Sequence, residues 1–305
     1  MLPTNIKGEL LLNNAKISYK NACLAFSCAF VTMLGVSIVA TLLQQNGIDV
    51  MHGVAFWLVN GVYSLCLGAV GLLILKLTKQ PAIQALGINK QAFSISKCLV
   101  LCATVVVLLN VSAVVNHWFL AFLTKLGCQI TTKPITNEQI LQNPVLAVVV
   151  ACILPAINEE IIFRGPVAQG LSRKFGNVAS VVLTGLLFAF FHGSPAQMLH
   201  QFALGSLLAY VAISTQSVIL PVIAHFVNNV SAMLFALYVE PTGFYQTYST
   251  WIVVIGVALI ALLAFVCNRQ FKLPQIAKEK FNSSAFDLML VASAGLSVYL
   301  WVTAL

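Results

Sequence analysis

Long stretches without a charged residue organise the chain: 21–48, 50–75, 98–124, 139–158, 175–239, 241–268 and 288–305 contain no Asp, Glu, Lys or Arg. A helix needs about 20 apolar residues to cross the hydrocarbon core of a bilayer. Most of these stretches hold one crossing, whereas 175–239, at 65 residues, has room for three. Its breaks are Gly193-Ser194-Pro195 and the polar run Ser214-Thr215-Gln216-Ser217, both turn-forming compositions. The pattern predicts about nine transmembrane helices, near 21–43, 52–75, 98–124, 144–164, 177–192, 197–214, 218–238, 248–267 and 286–304. The fourth is able to run on past Gly165-Pro166 as a kinked helix, because neighbouring helices re-satisfy broken backbone bonds in membranes. Continuous stretches, rather than alternating segments of about 10 residues, exclude a β-barrel. The expected fold is an all-α, polytopic helical membrane protein. Three helices lie in an N-terminal region 1–143, a core of four in 144–240, and two in a C-terminal region 241–305.

Composition agrees. Of 305 residues, 60% are hydrophobic and 8% charged, against about 25% charged in an ordinary soluble domain. That excludes a cytosolic enzyme, a nucleic-acid-binding domain and a disordered chain, so the lipid bilayer is an expected partner and nucleic acid is not. The net charge of +8 reads as basic loops on one membrane face. Lys7, Lys16 and Lys20 precede the first helix, and Lys76, Lys79, Lys90 and Lys97 follow the second. Arg164, Arg173 and Lys174 follow the fourth, and Arg269, Lys272, Lys278 and Lys280 the eighth, leaving only Lys125 and Lys133 on the other side. The positive-inside rule then gives a cytoplasmic N-terminus and an outside C-terminus, with the inner membrane of a bacterium as the expected location. Residues 1–20 lack the apolar core of a cleavable signal peptide. The eight cysteines are scattered without a Cys-x-x-Cys pair, so neither a disulfide framework nor a thiolate metal site is expected.

Against this background the polar residues inside the stretches carry the information, since intramembrane ionisable groups are costly. Six of the eight acids fall in loops or at helix ends; the exception is the adjacent pair Glu159-Glu160. On a helix Glu160 and Arg164, four apart, form an ion pair, while Glu159 points about 100° away toward a different neighbour. Neutralisation by Arg164 accounts for Glu160 but not for a second carboxylate beside it, because two close carboxylates disfavour each other's charged forms. A general acid or base needs such a perturbed group. His192 ends Phe188-Ala-Phe-Phe-His192, and His225 shares a helix face with Asn229. A lone intramembrane His is commonly an interhelical hydrogen-bonder; two of them, with two carboxylates and an amide in one block of helices, point to chemistry. His200, beside Gln197 and Gln201, reads as structural, with the mouth of a cavity as the other reading.

Glu159-Glu160-x-x-x-Arg164, Phe188-x-x-x-His192 and His225-x-x-x-Asn229, spaced by 33 residues from Glu159 to His192 and again to His225, resemble the motif set of the CPBP intramembrane proteases. This is the CaaX prenyl endopeptidase and bacteriocin-processing (Abi) family. The resemblance covers roughly 144–240. It implies an intramembrane endopeptidase in which Glu159, helped by His192, activates a water that attacks a peptide carbonyl. His225 and Asn229 then hold the oxyanion, and Glu160, paired to Arg164, orients the site, with Phe188 marking the second motif. The implied partner is a membrane-associated or lipid-modified peptide or protein, either a prenylated C-terminus or a leader peptide. Glu159, His192 and His225 are also a set able to bind Zn²⁺ with one open position, and a Glu–His pair activates water without metal, so both alternatives stand. His-Glu-x-x-His, Gly-x-Ser-Gly and a pair of intramembrane Asp are absent, which removes the other intramembrane protease classes. The alternatives of a different class are a proton-coupled transporter and a non-catalytic immunity or scaffold member of the same family.

Overall fold

In the computed structural model, residues 17–88, 93–130, 135–275 and 284–303 are described. Lys7, Glu9, Lys16, Lys90, Lys133, Lys278, Glu279 and Lys280 of the charge pattern, and most of the polar N-terminal segment, lie outside the described residues. Every one of the nine apolar segments is a helix: α1 (Tyr19–Gln45), α2 (Gly53–Leu77), α3 (Ile95–Lys125), α4 (Pro144–Phe175), α5 (Asn177–Phe191), α6 (Met198–Thr215), α7 (Ile219–Tyr238), α8 (Phe244–Gln270) and α9 (Ser284–Thr303). Among the described residues eight are long and apolar enough to cross a membrane. The protein is thus a multi-pass, all-α integral membrane protein.

The departure from nine crossings is α5. It has 15 residues, and it is bounded by Gly176 (φ +87°) and by a turn at Gly193 (φ +59°). These positive-φ glycines end the helix on both sides, so it falls short of the bilayer's thickness. His192 is consequently the residue that closes the end of α5, not one within a full span. The second turn falls where expected, with Gln216 in the left-handed conformation between α6 and α7.

Helix α4 continues through Gly165-Pro166 to Phe175 and widens twice into π-turns, at Val148–Ile153 and Phe163–Val167. Pro155 and Pro166 explain them: each lacks an N–H and collides with the carbonyl four residues back, and the wider turn relieves both. Because the helix runs on, Arg164 is fully buried within the bundle. It is therefore not one of the basic residues of the loop face, which α4 reaches at Arg173 and Lys174.

Apolar surface gains little from leaving lipid for protein, so close backbone approach and hydrogen bonds hold membrane helices together. A Cβ on Gly68 of α2 would collide with Asn158 Oδ1 of α4, and one on Gly205 of α6 would meet the Gly185 Cα of α5 at 3.1 Å. Asn158 donates to Ser64 Oγ across the α2–α4 contact at 3.2 Å. Phe26 and Phe30 of α1, Phe163 of α4 and Phe188 and Phe191 of α5 form an aromatic core beneath the polar centre. Helix α9 closes over α1, where Tyr19 donates to Asp287.

Candidate active site

The polar centre is assembled from α4, α5, α6 and α7. Glu159 and Glu160 follow one another on α4 and diverge as the helical period requires. Glu160 Oε1 lies 2.9 Å from an Arg164 terminal nitrogen, and both side chains are fully buried. The other terminal nitrogen of Arg164 donates to the Gly205 carbonyl at 3.3 Å, a reach that the Gly185–Gly205 crossing permits. The guanidinium also stacks on Phe188, 4.4 Å from the ring centroid. Phe188 thus acts as a floor, touching the rings of His192 and His225 as well, at 4.6 and 6.0 Å between centroids.

Both histidines are fixed by what their Nδ1 atoms touch. His192 Nδ1 lies 2.7 Å from the Phe188 carbonyl, which can only accept, so Nδ1 carries the proton. His225 Nδ1 lies 2.8 Å from Glu160 Oε1; a carboxylate paired with arginine accepts, so this Nδ1 is protonated too. Orientation of an imidazole through its far nitrogen sets the role of the near one. In the neutral rings both Nε2 lone pairs are therefore left to face Glu159. Its Oε2 is 4.0 Å from His192 Nε2 and 3.9 Å from His225 Nε2, and it is buried with no protein hydrogen bond of its own.

Those separations bear on the metal alternative. With zinc bonds of about 2.1 Å, donors 3.9–4.0 Å apart would subtend about 140° at the ion, far from a tetrahedral angle. Among the described residues, no group of three or more His, Cys, Asp and Glu side chains has metal-holding spacing. As they stand, the donors do not fit zinc. A water hydrogen-bonded at about 2.8 Å to two of them subtends about 90°, close to its own bond angle.

Glu159 and His192 line the inner end of a cavity of about 390 Å³ whose walls come from α1 and α2. Met33, Val36 and Ala40 of α1 and Phe56, Val59, Asn60 and Tyr63 of α2 line it. The cavity reaches Val50 and Met51 of the α1–α2 loop. There Asp49 accepts from the Met51 N–H and lies 2.9 Å from His52 Nδ1. The Met51 N–H and then the imidazole hold its carboxyl below the usual carboxylate range.

Of the residues singled out from the sequence, Glu159, Glu160, Arg164, Phe188, His192 and His225 converge. Asn229 lies one turn beyond His225, half-buried, and its Oδ1 accepts from Asn228 Nδ2 at 3.2 Å. His200 lies on the α3 side, with Nδ1 2.7 Å from Ser112 Oγ. Sequence reasoning passed over Asn158, Tyr63 and Asn228. The signal for Asn158 was legible, as the third polar residue of Asn158-Glu159-Glu160 in an apolar helix; Tyr63 carries none, because its place at the site is set by helix packing.

Fold and site together define an integral membrane protein with a buried carboxylate–histidine–arginine centre at the end of a largely apolar cavity. Residues 141–231 match the family model described as Rce1-like, type II CAAX prenyl endopeptidase, and all seven motif residues lie inside the match. At the level of the family, the match supports a CAAX-type intramembrane protease, and it agrees with the CPBP resemblance read from the motifs. No curated protein and no solved structure gives a match.

Proposed function

We propose that the protein is an intramembrane endopeptidase that hydrolyses a peptide bond in a membrane-associated or lipid-modified peptide. The observation that carries this reading is the convergence of Glu159 Oε2 with the Nε2 atoms of His192 and His225 at 4.0 and 3.9 Å, at the end of a cavity with apolar walls. A water between Glu159 and His192 donates one hydrogen to each, which turns its lone pair toward the cavity. As it attacks the scissile carbonyl, one proton passes to Glu159, and the same proton later goes to the leaving amine, a general base becoming a general acid.

The developing oxyanion takes hydrogen bonds from the Asn229 amide and from His225. Because His225 Nδ1–H is already given to Glu160, His225 donates from Nε2 only as an imidazolium. Glu160 is the counter-charge of this form and is itself paired with Arg164. In this reading 144–240 is the catalytic core. The described residues of 1–143 and 241–305 pack around it, the former supplying the cavity walls. The basic residues that close α2, α4 and α8 mark one face as cytoplasmic; α5 and α6 leave that face and return to it as a hairpin, with the Val218 N–H of the α6–α7 turn donating to the Leu86 carbonyl beyond α2 at 3.0 Å, so in this reading the N-terminus is cytoplasmic and the C-terminus outside.

The test is a cleavage assay on the full chain in liposomes, using a prenylated peptide with a CaaX terminus and an unprenylated transmembrane peptide. Wild type should cleave at least one of them. Glu159→Gln, His192→Ala and His225→Ala should each lower kcat by roughly 10²–10⁴, the range for acid–base groups. Cleavage that persists in all three variants refutes the mechanism. Ion flux that disappears in Glu159→Gln, without cleavage in wild type, would support a proton-coupled carrier instead.

A further inference from the structure

The Glu159 centre is open toward one end of the bundle and sealed toward the other. Its cavity is walled by residues between 33 and 40 of α1 and between 56 and 63 of α2, in the halves of those helices nearest their connecting loop. Met51 of that loop also lines the cavity and is exposed. Gln139 donates to the Met51 carbonyl at 2.9 Å, so the short helix Asn137–Gln142 borders the same opening. Glu159 and His192 keep 12% and 20% of their side-chain surface accessible, whereas Glu160 and Arg164 keep none. In the other direction Phe26, Ile162, Phe163, Val167 and Phe188 are all fully buried. The α6–α7 turn closes that end, held to the Leu86 carbonyl through the Val218 N–H. The length of α5 accounts for the asymmetry. It starts at Asn177, just beyond Arg173 and Lys174, and stops after 15 residues, about 22 Å at 1.5 Å per residue against a hydrocarbon core of about 30 Å. The shortfall therefore lies at the His192 end, which stays below the surface on the side of the α1–α2 loop.

The two ends also differ in charge. Lys76, Lys97, Lys174 and Arg269 stand at the helix ends on the sealed side. On the open side the described charged residues at helix ends and in loops are Asp49, Glu138, Glu240 and Lys125. Basic loops are retained in the cytoplasm, so the sealed side is the cytoplasmic one. We propose that the catalytic cavity opens on the outer face of the membrane, and that its substrate is a peptide exposed there: the flank of an exported or outward-facing membrane-anchored chain, not a tail displayed to the cytoplasm. This deepens the endopeptidase reading and rests on it. Water and the scissile segment reach Glu159 and His192 from the α1–α2 loop side, and the apolar walls of α1 and α2 receive the hydrophobic part of the same chain.

The test has two arms, both on the full chain in the inner membrane of a bacterial host. In the first, a membrane-impermeant maleimide is added to spheroplasts or to inverted vesicles, and labelling is read as the gain over the unsubstituted chain. Met51→Cys and His52→Cys, both at exposed positions of the cavity mouth, should label in spheroplasts and not in inverted vesicles. Lys76→Cys, exposed at the sealed end, should do the reverse. In the second arm the unprenylated transmembrane peptide is expressed in two orientations, with its cleavable flank outside in one and in the cytoplasm in the other. Only the outside flank should be cut, and Glu159→Gln should abolish the cut. Labelling of the two mouth probes from the cytoplasmic side overturns the proposal, and so does cleavage of the cytoplasmic flank at a rate equal to or above that of the outside one. If neither flank is cut while the mouth probes label from outside, the endopeptidase reading fails and the outward opening of the cavity stands.

Discussion

Replacing Arg164 with Met separates the charge at this centre from its packing. At 2.9 Å from Glu160, with an effective dielectric of about 20, the Coulomb attraction is about 6 kcal/mol. Removing both ions from water costs several kcal/mol each, so the intact pair contributes little net stability. Arg164→Met preserves most of the stem over Phe188 but leaves the fully buried Glu160 carboxylate with only the His225 Nδ1–H. Breaking a buried pair from one side costs about 3–5 kcal/mol, a factor of roughly 10² to 10^3.5 in the unfolding constant. Adding Glu160→Gln removes the orphaned charge, and stability should recover to within about 1–2 kcal/mol of wild type. Activity should not recover, because a neutral amide does not stabilise an imidazolium at His225; kcat is expected to stay at least about 10² below wild type. The assay is denaturant unfolding of the detergent-solubilised chain by tryptophan fluorescence, run beside cleavage rates on the same samples. A double variant as unstable as Arg164→Met, or one that cleaves like wild type, would refute the reasoning.

Two further outcomes follow from the geometry. Gly68→Ala pushes a methyl into Asn158 Oδ1 and should destabilise the α2–α4 contact by about 1–3 kcal/mol. Combining it with Asn158→Ala should cost less than the sum of the single changes, and strict additivity in that cycle would show the two residues do not meet. Stripping divalent metal with a chelator and dialysis should leave the cleavage rate unchanged, since the Glu159, His192 and His225 donors stand too far apart for zinc. Loss of activity that zinc alone restores, with one equivalent bound by elemental analysis, would show that the donors close up around an ion.

The all-α fold and its nine apolar segments were legible in the chain because membrane helices are written as long uncharged runs, and the bilayer sets their length. The same scarcity of charge exposed Glu159, Glu160 and Arg164, and the helical period correctly paired Glu160 with Arg164 while turning Glu159 elsewhere. Those relations are local, fixed by 3.6 residues per turn. The shortfall of α5 was less legible, since composition reports apolar length while the two positive-φ glycines decide where the helix stops. Arg164 likewise looked like a loop charge until α4 was seen to run on through its π-turns.

What lies between helices was decided only by the tertiary structure. That His225 gives its Nδ1 proton to Glu160, that the Gly205 carbonyl receives Arg164, and that α1 and α2 wall the cavity at Glu159 all depend on which helices cross and how closely. Sequence period places a side chain on a face of its own helix; it carries no information on what that face meets. Those crossings are set by glycines such as Gly68, Gly185 and Gly205, where the missing Cβ lets backbones approach until short polar side chains reach one another.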